Sequence, residues 1–120
     1  MRPEGHFQLS LKESGERSHL RLVGKFDRAV VGRVERALEH VFRAPPTEQV
    51  VIDLRLLSFL DTAGLLTLFR AHDRARGCAF DLVVVRPHGI ANRVFTLTRA
   101  GDALTMVDEP EAMASTPPGN

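Results

Sequence analysis

Val50-Val51-Ile52-Asp53-Leu54-Arg55-Leu56-Leu57-Ser58-Phe59-Leu60-Asp61-Thr62-Ala63-Gly64-Leu65 holds three signals in one continuous order. Val50, Val51, Ile52 and Leu54 form a short apolar run broken only by Asp53, the pattern of a parallel strand covered on both faces. An apolar loop is expected to follow, and then an Asp-Thr-x-Gly helix start. The second helix is predicted over residues 62–76, with Leu65, Leu66, Leu68, Phe69 and His72 facing or flanking the core and Thr67, Arg70, Asp73 and Arg74 largely outward. Gly77 is its natural C-terminal stop.

The elements on either side continue an alternation. Downstream, Phe80, Leu82, Val83, Val84 and Val85 read as another buried strand, and Arg86-Pro87-His88-Gly89 as a turn. A third helix then carries Ile90, Ala91, Val94, Leu97 and Thr98 on one side, with Gly101 in capping position, and a last short strand covers residues 104–107. Upstream, Val30, Val31, Val34, Ala37, Leu38, Val41 and Phe42 fall on one helical face within residues 29–42. Asp27 is placed to cap this first helix, Glu39 and Arg43 to pair along it, and Pro45 and Pro46 to end it. Before it, Phe7, Leu9 and Leu11 alternate with polar residues, as do Leu20 and Leu22, on either side of a turn at Ser14 and Gly15, which makes a hairpin.

The order β-β-α-β-α-β-α-β requires parallel strands with right-handed helical crossovers after the hairpin. The expected fold class is therefore α/β: one domain with a mixed, mainly parallel sheet, an N-terminal β-hairpin and three or more helices. It is expected over residues 7–107, with 1–6 and the Pro-containing 108–120 as flexible ends. The 120-residue length, 43% hydrophobic and 26% charged, is that of one ordinary globular domain.

Composition excludes more than it assigns. Sixteen Lys and Arg against fifteen Asp and Glu give a formal charge of +1, with no basic tract for nucleic acid. Cys78 is the single cysteine, so no intrachain disulfide forms and a reducing, cytoplasmic setting is expected. No apolar run approaches the ~18 residues of a membrane span, and residues 1–10 lack the apolar stretch of a signal peptide. The sequence has no GxSxG elbow, phosphate-binding P-loop or HExxH motif, and its five histidines are dispersed. Catalysis, a metal and a cofactor are accordingly not expected.

Function in such sheets gathers outside the carboxyl ends of the parallel strands. That rule selects Asp27 and Arg28, then Asp61, Thr62 and Gly64, then Arg86 and His88. Asp-Thr-x-Gly alone reads as an ordinary helix cap, because Asp and Thr favour that position. After a buried strand and before a leucine-rich helix, in a chain with this element order, it resembles the signature of the STAS family. That family comprises the domain of anti-sigma-factor antagonists and of sulphate-transporter tails. Gly24-Lys25-Phe26-Asp27 and Val94-Phe95-Thr96-Leu97-Thr98-Arg99-Ala100-Gly101-Asp102 extend the resemblance over about the whole domain.

The resemblance implies a phosphorylatable hydroxyl at Thr62 and partner binding through Asp27, Leu60, Asp61, Thr62, Ala63 and Gly64. A hydroxyl at a helix N-terminus is exposed, and a phosphate there meets backbone N–H groups and the positive end of the helix dipole. Many relatives carry Ser where this chain has Thr62, which keeps the acceptor but adds a methyl group and stiffens χ1. Gly64 is expected to allow close approach of a partner or phosphate, and Leu57, Phe59 and Leu60 to pack beneath or around the loop.

Two roles follow from the resemblance. In the first, the chain is an anti-sigma-factor antagonist that binds an anti-sigma factor of serine/threonine-kinase type, releases a sigma factor, is switched off by phosphorylation at Thr62 and is restored by a phosphatase. In the alternative, it is a STAS subunit of a membrane lipid-transport ATPase complex, docking an ATPase subunit through the same helix edge.

Overall fold

The long central strand does most to shape the molecule. In the computed structural model, which describes residues 7–44, 48–78 and 80–109, this strand runs from Gln49 to Leu60 without the expected apolar loop. The element order is β1 (Gln8–Ser14), β2 (Arg17–Phe26), a 3-10 turn (Arg28–Val30), α1 (Val31–Arg43), β3 (Gln49–Leu60), α2 (Thr62–Gly77), β4 (Asp81–Val85), α3 (Gly89–Thr98), a second 3-10 turn (Ala100–Asp102) and β5 (Met106–Val107). The sheet order is β1-β2-β3-β4-β5; β1 and β2 are antiparallel and the other pairs parallel.

The register of β2 against β3 explains why the strand looks like a loop in sequence. Arg21 and Val23 of β2 pair with Asp53 and Leu56, and Gly24 and Lys25 pair with Leu57 and Phe59, so β3 takes one extra residue at each irregularity. These bulges reset the alternation, and the side chains turned to the core are Val50, Ile52, Leu54, Leu57 and Leu60 rather than every second residue. A period-2 pattern with two insertions has no visible period over so few residues.

Each parallel crossover steps one strand in the same direction, and right-handed connections then put all three helices on one face. The core agrees: Leu20, Leu22, Val50, Ile52, Leu82 and Val84 of the sheet join Val34, Leu38 and Val41 of α1, Leu65, Leu68, Ala71 and Ala75 of α2, and Ala91 and Phe95 of α3 in one cluster. Val51, Val83 and Val85, of opposite parity, are buried as well. The hairpin turns on Gly15 and Glu16 with a positive φ of 62° at Gly15, the sign pattern of a II′ turn that glycine permits.

Several sequence expectations change. The helical face of α2 is rotated: Thr67 is buried and Leu66 is exposed. The Thr67 hydroxyl donates to the Ala63 carbonyl (2.9 Å), so a polar side chain can face α1 at little cost. In α3, Ala91 and Phe95 carry the packing, whereas Ile90 and Leu97 stay exposed. The α3 C-cap is Arg99 in the left-handed conformation, with φ 60°, while Gly101 lies inside the following 3-10 turn. Gly77 is the last residue of α2 and Cys78 its C-cap. Leu104 is a buried residue ahead of β5 rather than part of it. Pro45, Pro46, residues 1–6 and residues 110–120 lie outside the described residues.

Candidate functional site

Phe26 and Leu60 are register partners at the ends of two adjacent parallel strands, so the chain leaves β2 and β3 side by side. The two following loops are joined through one carboxylate. Asp61 is the N-cap of α2: its Oδ1 accepts the Gly64 N–H (2.9 Å), and its Oδ2 accepts the Arg28 N–H of the neighbouring loop (3.2 Å). The Asp61 N–H donates to the Phe26 carbonyl (3.3 Å). Asp27 caps its own 3-10 turn by accepting the Ala29 N–H (3.0 Å). The structure therefore brings Asp27, Arg28, Asp61 and Thr62 to one edge.

Thr62 is the first helical residue of α2 and is exposed. The first N–H groups of a helix have no intrahelical acceptor, and Asp61 takes only that of Gly64. The hydroxyl thus stands where backbone donors and the helix dipole favour added negative charge, while Asp27 and Asp61 oppose it.

Gly64 lies deeper than a partner-facing position, and Leu60 packs beneath the loop. Both are buried. A Cβ built on Gly64 falls 2.7 Å from Leu60 Cδ1, 2.9 Å from the Phe26 carbonyl oxygen and 3.1 Å from Phe26 Cγ. The glycine lets the first turn of α2 sit directly on the strand ends, and close approach by a partner is not available there. Leu60 is the floor of the edge, with Leu57 also in the core. Phe59 lies on the opposite sheet face, 37% exposed, with Lys25 Nζ 5.7 Å from its ring centroid. Ala63 and Asp27 are half-buried at the edge itself.

Arg86 and His88 are not part of this edge. β4 pairs only with the first part of β3, and its last residue, Val85, is level with Asp53 and hence with Arg21. Arg21 lies five residues before Phe26, about 16 Å at a rise of about 3.3 Å per residue. Arg86 instead pairs with Asp108 (Nε–Oδ1 3.1 Å), and with His88 it lines a separate hollow that includes Arg55 and Asn92.

Sequence reasoning passed over one polar cluster. Asp53 is 1% exposed and accepts from the Arg55 backbone N–H (3.1 Å), Arg55 Nε (3.0 Å) and Arg55 Nη2 (2.9 Å). His19 Nε2 is 3.4 Å and Arg21 Nε 3.8 Å from its Oδ2. Burial pushes the Asp53 carboxyl up, but the Arg55 hydrogen bonds and charge, helped by His19, outweigh it and hold the group below the usual carboxylate range. The signal was present: His19 and Arg21, like Asp53 and Arg55, are two apart and share a strand face. This cluster ties β2 to β3 on the helix-free face.

Among the described residues, no group of three or more His, Cys, Asp and Glu side chains could hold a metal ion. No helix among them is long and apolar enough to cross a membrane.

Comparison with known proteins places this geometry. No curated protein matches the chain significantly. Among solved structures, an anti-sigma factor antagonist from Mycobacterium paratuberculosis superposes with a TM-score of 0.82 at 21% identity, over 96% of this chain and 97% of that one. The Bacillus cell fate determinant SpoIIAA in its phosphorylated form gives 0.67 at 20% identity, over 92% and 99%. A sulfate transporter family protein from Wolinella succinogenes gives 0.69 at 15% identity, over 87% and 90%. At these identities the likeness is one of fold. The STAS domain model matches residues 8–112, from β1 to beyond β5, and with the hairpin, the three crossovers and the capped α2 start inside that span, the chain belongs to the STAS domain family.

Proposed function

We propose that this protein is an anti-sigma-factor antagonist: it binds an anti-sigma factor of serine/threonine-kinase type through the Asp27–Asp61–Thr62 edge, frees a sigma factor, and is switched off by phosphorylation of Thr62. The observation that carries this reading is the exposed Thr62 hydroxyl at the first position of α2, beside an Asp61 that braces two loops. Phosphorylation adds about −1.5 to −2 charge next to Asp27 and Asp61, and a partner fitted to the unmodified edge then meets repulsion and a desolvation cost. Because Asp61 already holds the backbone, the change stays local. The chain acts as ligand and substrate, its chemistry supplied by the kinase and reversed by a phosphatase, in the cytoplasm where both work.

Support comes from the family and from the fold shared with structures described as anti-sigma factor antagonists. Incubation with ATP and the cognate kinase, followed by peptide mass analysis, tests the modification. The expected result is one phosphate on the Thr62 peptide and none on the Thr62→Ala protein. A wild-type Thr62 peptide without phosphate removes the switch from this reading.

A further inference from the structure

The helix-free face of the sheet carries a second surface next to the proposed edge. A hollow of about 590 Å³ has Val23 and Leu56 as its apolar floor, Gln8 and Ser10 beside them, and Arg21 and Arg33, the latter reaching it from α1, at its side. No carboxylate lines it. Leu56 is 55% exposed, a large value for a leucine within a strand, and it is held outward by the bulge that turns Leu54 and Leu57 to the core. Val23 is its cross-strand partner, and the next exposed pair toward the edge is Lys25 with Phe59. The row Leu56, Phe59 therefore runs along β3 from the hollow toward the edge, which begins at Asp61 just past the strand.

Charge divides along this row. The edge presents Asp27 and Asp61 against the single cation Arg28, Lys25 stands between, and the hollow presents Arg21 and Arg33. Asp53 is already satisfied by Arg55 and lies 3.8 Å from Arg21, while Arg33 is held over the Phe7 ring with its guanidinium carbon 5.1 Å from the centroid. Arg21 thus shares the one Asp53 carboxylate with Arg55, and Arg33 meets no carboxylate among the residues that line the hollow.

We infer that this hollow docks an acidic segment with an apolar centre, supplied by the protein partner that grips the edge. The inference rests on the proposed function for the identity of that partner. Opposite charges at the two ends of one contact surface give the partner a single favourable orientation, because reversal sets like charges against each other. An anionic membrane is the poorer fit, since Asp27 and Asp61 lie beside the same surface and repel its headgroups. Phosphorylation at Thr62 acts on the acidic end and leaves the cationic end in place.

The test uses the full chain labelled with ¹⁵N, titrated separately with a Glu/Leu peptide, a Lys/Leu peptide of equal length, and phosphatidylglycerol-containing vesicles. The Glu/Leu peptide is expected to shift the Arg21, Val23 and Leu56 amide signals, with affinity falling as salt rises. Arg33→Glu and Leu56→Asp, both at exposed positions, are expected to fold as wild type by circular dichroism and to weaken that binding about tenfold or more, equivalent to about 1.4 kcal/mol. Absence of shifts, equal binding of the Lys/Leu peptide, or binding to vesicles but not peptide overturns the inference. Calorimetry with the anti-sigma factor separates the two claims. If Thr62→Glu weakens binding and Arg33→Glu and Leu56→Asp do not, the hollow is excluded and the edge stands. If wild type does not bind at all, the proposed function fails and the peptide titration still decides the hollow.

Discussion

Replacing Gly64 with alanine tests whether α2 rests on the strand ends as described. In the interior of a helix, Gly→Ala is worth about 0.5–1 kcal/mol of stabilisation, because alanine loses less backbone freedom on folding. At Gly64 the new methyl falls 2.7 Å from Leu60 Cδ1 and 2.9 Å from the Phe26 carbonyl oxygen. Leu60 can yield by changing rotamer only into a core that is already filled, and the carbonyl is backbone at the end of β2. Overpacking of this kind costs typically about 1–3 kcal/mol, and it exceeds the propensity gain. The expected net effect is a loss of about 1–2 kcal/mol, or roughly 4–15 °C in Tm for a domain near 100 residues. Gly32→Ala is the matched control: its Cβ meets only the end of the flexible Arg36 side chain, at 3.8 Å, so it should raise stability by up to about 1 kcal/mol. Urea and thermal denaturation of the two variants measure the contrast. Equal or increased stability of Gly64→Ala would refute the close seat of α2 on Phe26 and Leu60.

Other expectations follow from the same contacts. Asp61→Ala removes the α2 cap and the acceptor for Arg28 N–H together, so it should cost about 1–2 kcal/mol in denaturant unfolding, with Asp61→Asn recovering much of the loss. Asp53 has a folded-state pKa below its unfolded value of about 3.9, so its stabilising contribution is complete above that value and is lost as pH falls through the folded pKa. Stability measured against pH should therefore fall on the acid side, and Asp53→Asn should flatten that fall. It should leave the part from Glu39, whose carboxyl is also lowered, chiefly by its hydrogen bond from Arg74. An unchanged acid slope in Asp53→Asn would show that Arg55 does not hold the charged form as described.

The architecture was legible because it rests on contrasts of period. Val34, Leu38 and Val41 repeat at helical spacing, Val50 to Leu54 form a buried run, and the alternation of such segments leaves one handedness of crossover. What was misread lies where a neighbour decides. The second half of β3 escaped because bulges against β2 reset its alternation. Leu66 and Thr67 exchanged faces because a threonine can satisfy its hydroxyl on its own helix. Ile90 and Leu97 were taken for core because hydrophobicity does not state which side of α3 meets Phe95's neighbours. At the site, the Asp-Thr-x-Gly motif located the edge, but the link from Arg28 to Asp61 and the burial of Gly64 depend on two strands ending together. Arg86 and His88 fell away for the converse reason: β4 ends level with the middle of β3.

The central claim is that one exposed hydroxyl, Thr62, governs binding of a kinase-type anti-sigma factor. Calorimetric titration of that factor into wild type, Thr62→Ala and Thr62→Glu tests it most directly. Thr62→Ala should bind as wild type does, and Thr62→Glu, which places charge on the edge without disturbing the Asp61 cap, should bind at least about tenfold more weakly, a difference of about 1.4 kcal/mol. Equal affinities for all three proteins would contradict the account.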